Sequence, residues 1–173
     1  MSSDIVAQTD RLYMAIGRVV VEFQFVENVA AECLASLMRM KEHEDQHRVA
    51  AAMSFRQKVD LLCDLYPRRK DVQWPDVEID IARKSLFAAE EFRNAVVHSF
   101  WHVSGSDALK WMRSKSTLRT SAGLKITAGE ANIECIETGS KTLYTVRDWY
   151  LGDSDALKKA TEVLKTCTQT LSS

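Results

Sequence analysis

The chain has 173 residues, enough to bury about 70% of its unfolded surface without disulfides or metals as staples. Hydrophobic residues make up 46% and charged residues 27%, a balance that excludes a disordered or membrane-embedded chain, and the six Gly and two Pro favour helix over sheet. The formal net charge of −1 excludes a non-specific nucleic-acid binder acting through bulk charge, so any such contact has to come from a local basic patch.

This length is read as one domain spanning residues 1–173. The first predicted helix runs from about Ile5 to about Met40. Leu12, Ile16, Val19, Phe23, Val26, Ala30, Cys33 and Leu37 alternate steps of four and three along it, and Val20, Leu34 and Met38 widen this seam. The charged run Lys41 to Arg48 reads as a turn. His43 and His47 lie four apart within it and read as solvated surface.

A second helix is predicted over about 54–66. Ser54 followed by Gln57 fits a capping box, Phe55, Val59, Leu62 and Tyr66 form its stripe, and Pro67 ends it. Arg68, Arg69 and Lys70 follow in the loop. As a basic triplet they are the candidates for contact with a nucleic-acid backbone.

A third helix is predicted over about 76–102, opening at Pro75-Asp76. Leu86, Ala89, Phe92, Val96, Phe100 and Val103 form one apolar stripe. The opposite face carries Phe87, Glu91, Asn94, His98 and Trp101, a mixture of aromatic and polar groups that suggests a second partner surface. From about 103 to 144 the helical period is lost, apolar residues alternate, and Gly105, Gly123, Gly129 and Gly139 punctuate the run. This is read as two or three short strands, a small hairpin or meander inserted before the last helix, with Ile133 and Cys135 in an alternating segment. The last helix is predicted over about 145–171. Thr145 and Asp148 cap it, Leu157, Ala160, Val163, Leu164, Cys167 and Leu171 line it, and Gly152-Asp153-Ser154-Asp155 is a point where it breaks in two. The expected fold is therefore all-α: an up-and-down bundle of four to five helices with a small β insertion.

The four cysteines are far apart and form no Cys-x-x-Cys pair. Cys33, Cys63 and Cys167 fall on apolar stripes, where a free thiol acts as a small hydrophobe. With no apolar stretch of spanning length and no cleavage-site pattern, the expectation is a cytoplasmic protein that does not enter a membrane.

The chemistry concentrates in Glu90-Glu91-Phe92-Arg93-Asn94-Ala95-Val96-Val97-His98-Ser99-Phe100-Trp101-His102. Arg offers fixed donors for a phosphate, His exchanges protons near neutral pH, and Asn orients either partner. An Arg followed by a His after four to six residues is a weak signal by spacing alone: with 12 Arg and 4 His, about 0.8 matches arise by chance. Its context sharpens it. Asn94 is one of three Asn in the chain, and the motif lies near the end of a long helix preceded by two others.

In these features the chain resembles the HEPN family, dimeric helical bundles many of whose members are RNases of toxin–antitoxin and defence systems. The resemblance covers about residues 5–102 and 145–171. It extends to Glu22 and Glu27 on the first helix and to Ser54, Phe55 and Lys58 opening the second. It implies a homodimer through the third helix, with Arg93, Asn94 and His98 at a metal-independent catalytic site and Glu90, Glu91 and His102 as accessory residues. It also implies an RNA substrate, no cofactor, and a neutralising partner of the small nucleotidyltransferase kind.

Other readings stand beside this one. His98 serves equally as a structural interface residue, Arg93 as an ion-pair partner of Glu90 or the first helix, and Asn94 as a register-fixing amide. His98 and His102, four apart, have the spacing of a helical zinc pair but lack a fixed third ligand. A catalytically silent, dimeric scaffold of the same family is the alternative function. On an ideal helix Arg93 and His98 are about 140° apart and do not share a face.

Overall fold

The computed structural model describes residues 3–69, 71, 77–105, 110–119 and 123–172. Among them are six α-helices and three strands: α1 (Ser3–Leu37), α2 (His43–Ala52), α3 (Phe55–Leu65), α4 (Ile79–Val97), β1 (Phe100–Ser104), β2 (Lys110–Arg119), β3 (Gly123–Glu130), α5 (Ile133–Arg147) and α6 (Ser154–Thr170). The protein is mostly helical, and the antiparallel sheet precedes the last two helices rather than the last one.

α1 is the spine. Ile5, Leu12, Val19 and Val26 repeat every seven residues and are buried, with Phe23, Ala30 and Leu37 beside them. Ile16 and Cys33 are only half-buried, and Ala15 and Leu34 take the inward places. α1 lies against α3, α4 and α5.

The charged segment after α1 is helical, not the predicted turn. None of the residues of α2 is buried, so no apolar stripe marks it in the sequence. It forms on local terms. Glu44 and Asp45 sit in its first turn, both pair with Arg48, and alanines close it.

Ser54 caps α3 through the predicted reciprocal box: Gln57 N–H donates to Ser54 Oγ at 3.3 Å and Ser54 N–H to Gln57 Oε1 at 2.8 Å. Phe55, Val59 and Leu62 face inward. The helix stops at Leu65, and Pro67 sits in a single 3₁₀ turn, Tyr66–Arg68. α3 runs antiparallel to α4, since Arg56 pairs with Glu90 and Glu91 while Asp60 pairs with Arg83. The predicted opening of the third helix at Pro75-Asp76 lies outside the described residues.

α4 ends at Val97, about five residues before the predicted end near residue 102. His98 leaves helical geometry (φ −94°, ψ 20°), and the chain turns directly into β1. The 3.6-residue period fits Phe92, Val96 and Phe100 by coincidence. Phe92 and Val96 are fully buried, yet Phe100 is 67% exposed, because in a strand alternate residues point to opposite sides.

The strands form a meander in the order β1-β2-β3. Trp101 pairs with Arg113 and Val103 with Trp111, and Arg113 in turn with Gly129. Trp111 and Arg113 are the buried residues of this face. Trp111 Nε1 donates to Thr9 Oγ1 at 3.1 Å, which docks β2 on α1.

Ile133 and Cys135, predicted in an alternating segment, open a helix instead. Asn132 caps α5 by accepting from Cys135 N–H at 2.9 Å, and Thr145 lies inside α5 rather than capping the last helix. Gly139, read as punctuation, is in mid-helix. A β-carbon there would lie 2.1 Å from Phe92 Cζ, so the fully buried ring occupies the space of the missing side chain. The predicted break at 152–155 is present: Gly152 adopts a left-handed φ of 86° and Asp153 caps α6 through Ala156 N–H. α6 packs on α4, where Ser85 Oγ meets Thr161 Oγ1 at 2.7 Å.

Candidate functional site

The end of α4 gathers the motif. Arg93 and Asn94 belong to its last turn and are half-buried, while His98 is the exposed residue that ends it. Arg93 Nη1 donates to Asn94 Oδ1 at 2.9 Å and lies 3.2 Å from His98 Nε2. The 140° offset of an ideal helix does not keep the two apart, because His98 is already off the helix and its ring swings back. Guanidinium only donates, so in this contact Nε2 of His98 is the acceptor. The Arg93 stem runs beside α1, with the guanidinium carbon 5.6 Å from the centre of the Phe23 ring.

Glu90 and Glu91 do not partner Arg93. Both pair with Arg56 of α3, at 2.7 and 3.2 Å. Among the described residues no carboxylate forms an ion pair with Arg93 or His98. An arginine held in place and left without a counter-ion has donors to offer a ligand anion.

His102 is not part of this group. It lies in β1, on the side of the strand away from Trp101, and its ring stacks on Phe100 with centroids 5.4 Å apart. Its Nδ1 is buried and has no hydrogen-bond partner among the described residues. With His102 on a strand, the helical His98–His102 pair does not exist. Trp101 likewise leaves the predicted helical face and donates from Nε1 to Val96 O at 3.1 Å. Phe87 stays on α4 but lies under the guanidinium groups of Arg56 and Arg83.

The basic triplet lies elsewhere. Arg68 and Arg69 follow α3 at the end of the bundle where α4 begins, and Lys70 lies outside the described residues. The 14 residue steps from Ile79 to Arg93 place the motif about 21 Å further along the helix axis. The two groups therefore do not form one cleft within a chain.

β2 brings two further cations that the sequence reading did not single out as site residues. Arg113 is buried and clamps two helix ends. Its Nε donates to Ser99 Oγ at 2.8 Å and to Ala95 O at 3.3 Å, Nη2 to Ala95 O at 3.2 Å, and Nη1 to Leu171 O. Burial holds its pKa below the usual guanidinium range. Lys115, two residues on, donates from Nζ to Asn94 O at 3.2 Å. The signal available in the sequence was the period of two that places 111, 113 and 115 on one side of a strand.

No family model, no curated protein and no solved structure matches the chain.

The remaining chemistry is sparse. Burial pushes the Cys33 thiol up to about 12 and the Cys63 thiol up to about 11, which removes both as nucleophiles near neutral pH. Among the described residues no three His, Cys, Asp or Glu side chains come together as metal ligands. No described helix is long and apolar enough to cross a membrane. At the end of α4 stand an imidazole whose Nε2 accepts from a guanidinium, that guanidinium without a counter-ion among the described residues, and an amide joined to it. Such a group can hold an anion and move a proton beside it.

Proposed function

We propose that this protein is a metal-independent endoribonuclease of the HEPN kind, a toxin or defence effector whose bundle is α1, α3 and α4 with α5 and α6 returning against them. The observation that carries the reading is the reach of Arg93 Nη1 to both Asn94 Oδ1 and His98 Nε2, with no described carboxylate ion-paired to Arg93. In this reading Arg93 holds the scissile phosphate and offsets the charge that grows on its non-bridging oxygens. Asn94 fixes the guanidinium. Once the phosphate has drawn Arg93 Nη1 away from it, His98 takes the 2′-hydroxyl proton on Nε2. The 2′-oxygen attacks the adjacent phosphorus, the bond to the 5′-oxygen breaks, and the imidazolium or water returns a proton to that oxygen. DNA lacks the attacking hydroxyl and stays intact.

Purified protein incubated with single-stranded or transfer RNA in excess EDTA is expected to cleave it and leave 2′,3′-cyclic phosphate ends. Loss of activity in EDTA with recovery on adding Mg²⁺ or Zn²⁺ overturns the metal-independent mechanism. No cleavage under any condition overturns the enzyme reading.

A homodimer through the end of α4 belongs to the same proposal. Arg93 and His98 meet within one chain, so their contact does not need the second protomer. Its support is exposed apolar surface beside the site: Phe100, two residues after His98, is 67% exposed. Light scattering at micromolar concentration is expected to give twice the chain mass, and a monomer mass removes the dimer. The neutralising partner proposed is a small nucleotidyltransferase-like protein. A silent, dimeric interaction module is the second reading. It is favoured by the apolar outer side of the sheet, where Phe100, Leu124 and Ile126 are all more than half exposed.

A further inference from the structure

Lys115 reaches the site from the inserted sheet rather than from the bundle. Its Nζ donates to Asn94 O at 3.2 Å, and the same carbonyl accepts the backbone N–H of His98 at 3.3 Å. Asn94 is thus a hub. Its amide oxygen holds Arg93, and its carbonyl holds both the ammonium of Lys115 and the backbone of His98.

An ammonium has three donors, and only one of those of Lys115 meets an acceptor among the described residues. No described carboxylate ion-pairs with it. Partial burial, and then the neighbouring Arg113, hold its pKa below the usual lysine range. A cation that is desolvated, placed beside another cation and given no counter-ion is disfavoured in the empty protein, and an anionic ligand relieves that.

We infer that Lys115 is a substrate-binding residue that holds an RNA phosphate beside Arg93 and His98, so that the β insertion forms a wall of the site. This rests on reading the end of α4 as an RNA-cleaving site. Arg113, by contrast, is saturated by carbonyl and hydroxyl oxygens and has a structural role. A lysine at the end of a helix is also an ordinary cap for its last carbonyls. The two roles separate on ligand binding.

The test uses the full chain and a fluorescent single-stranded RNA made non-cleavable by 2′-O-methylation, with anisotropy recorded across a salt series. Wild type, Lys115→Met and Lys115→Arg are compared. One lost phosphate contact is expected to lower the slope of log K against log salt by about 0.7, which weakens binding about fivefold at 0.1 M salt. Lys115→Arg keeps the charge and is expected to retain most of both. On cleavable RNA, Lys115→Met is expected to raise KM with kcat little changed. If Lys115→Met binds as wild type does and differs only in melting temperature, the residue is a helix cap and the inference is overturned, while cleavage by wild type still stands. If wild type binds the RNA with the expected slope and Lys115→Met loses it, yet native RNA is never cut, Lys115 stands and the nuclease reading fails. Absence of any RNA binding by wild type overturns the inference.

Discussion

His98→Ala is expected to lower RNA cleavage about 10²–10⁴-fold, the usual effect of removing a general acid or base. Its fold is expected to stay within about 0.5 kcal/mol of wild type, as for surface substitutions away from special features. Both expectations follow from geometry. His98 is exposed, and the ring contact it loses is the one to Arg93 Nη1, which keeps its bond to Asn94 Oδ1. The backbone bond of His98 to Asn94 O does not depend on the side chain. Rates on a cleavable RNA, read beside thermal unfolding, check the pair of statements. A variant that cuts as fast as wild type removes His98 from the chemistry. A variant that is inactive because it unfolds makes the histidine structural and favours the scaffold reading.

Gly139→Ala is expected to destabilise the protein by about 2 kcal/mol. Alanine is the better helix former by about 1 kcal/mol, so the substitution would stabilise an open helix. Here the added β-carbon would lie 2.1 Å from Cζ of Phe92 and 2.6 Å from each Cε, far inside contact distance. The ring is fully buried and has nowhere to turn. Forcing it aside is overpacking, typically 1–3 kcal/mol and occasionally more. For a protein of this size 2 kcal/mol lowers Tm by about 4–8 °C. Phe92 precedes Arg93, so the strain also reaches the candidate site. Phe92→Leu in the Gly139→Ala background is expected to recover part of the loss, a coupling that a double-mutant cycle measures. A Tm equal to or above wild type would show that α5 does not pack on α4 at this point.

Gly139 also shows where sequence reading stops. A glycine amid polar residues looks like a break in structure, and the ring that fills its place is 47 positions away in the chain. Nothing local announces it. α2 was hidden for the opposite reason. It buries no residue, and an apolar stripe is what periodicity detects. The end of α4 was misplaced because Phe92, Val96 and Phe100 satisfy a helical period, while the alternation of Trp101 and Val103 acquires meaning only once β2 lies alongside.

The amino-acid sequence by itself determined the features whose causes lie within a few residues. These are the seven-residue seam of α1, the Ser54–Gln57 box, the stop at Pro67, the break at Gly152-Asp153, the strand-like middle segment and the composition of the Arg93-Asn94-His98 motif. Each is a local balance of periodicity, capping and backbone freedom. Tertiary structure decided what requires distant partners. Arg56 takes up Glu90 and Glu91, leaving Arg93 without a carboxylate among the described residues. β1 pulls the chain out of the helix at His98, so that its ring returns to Arg93. β2 delivers Arg113 and Lys115 to carbonyls at the end of α4. The physical reason is the same in each case: competition among charges and hydrogen-bond donors for a few partners is resolved by which elements lie side by side, and spacing along the chain does not record that.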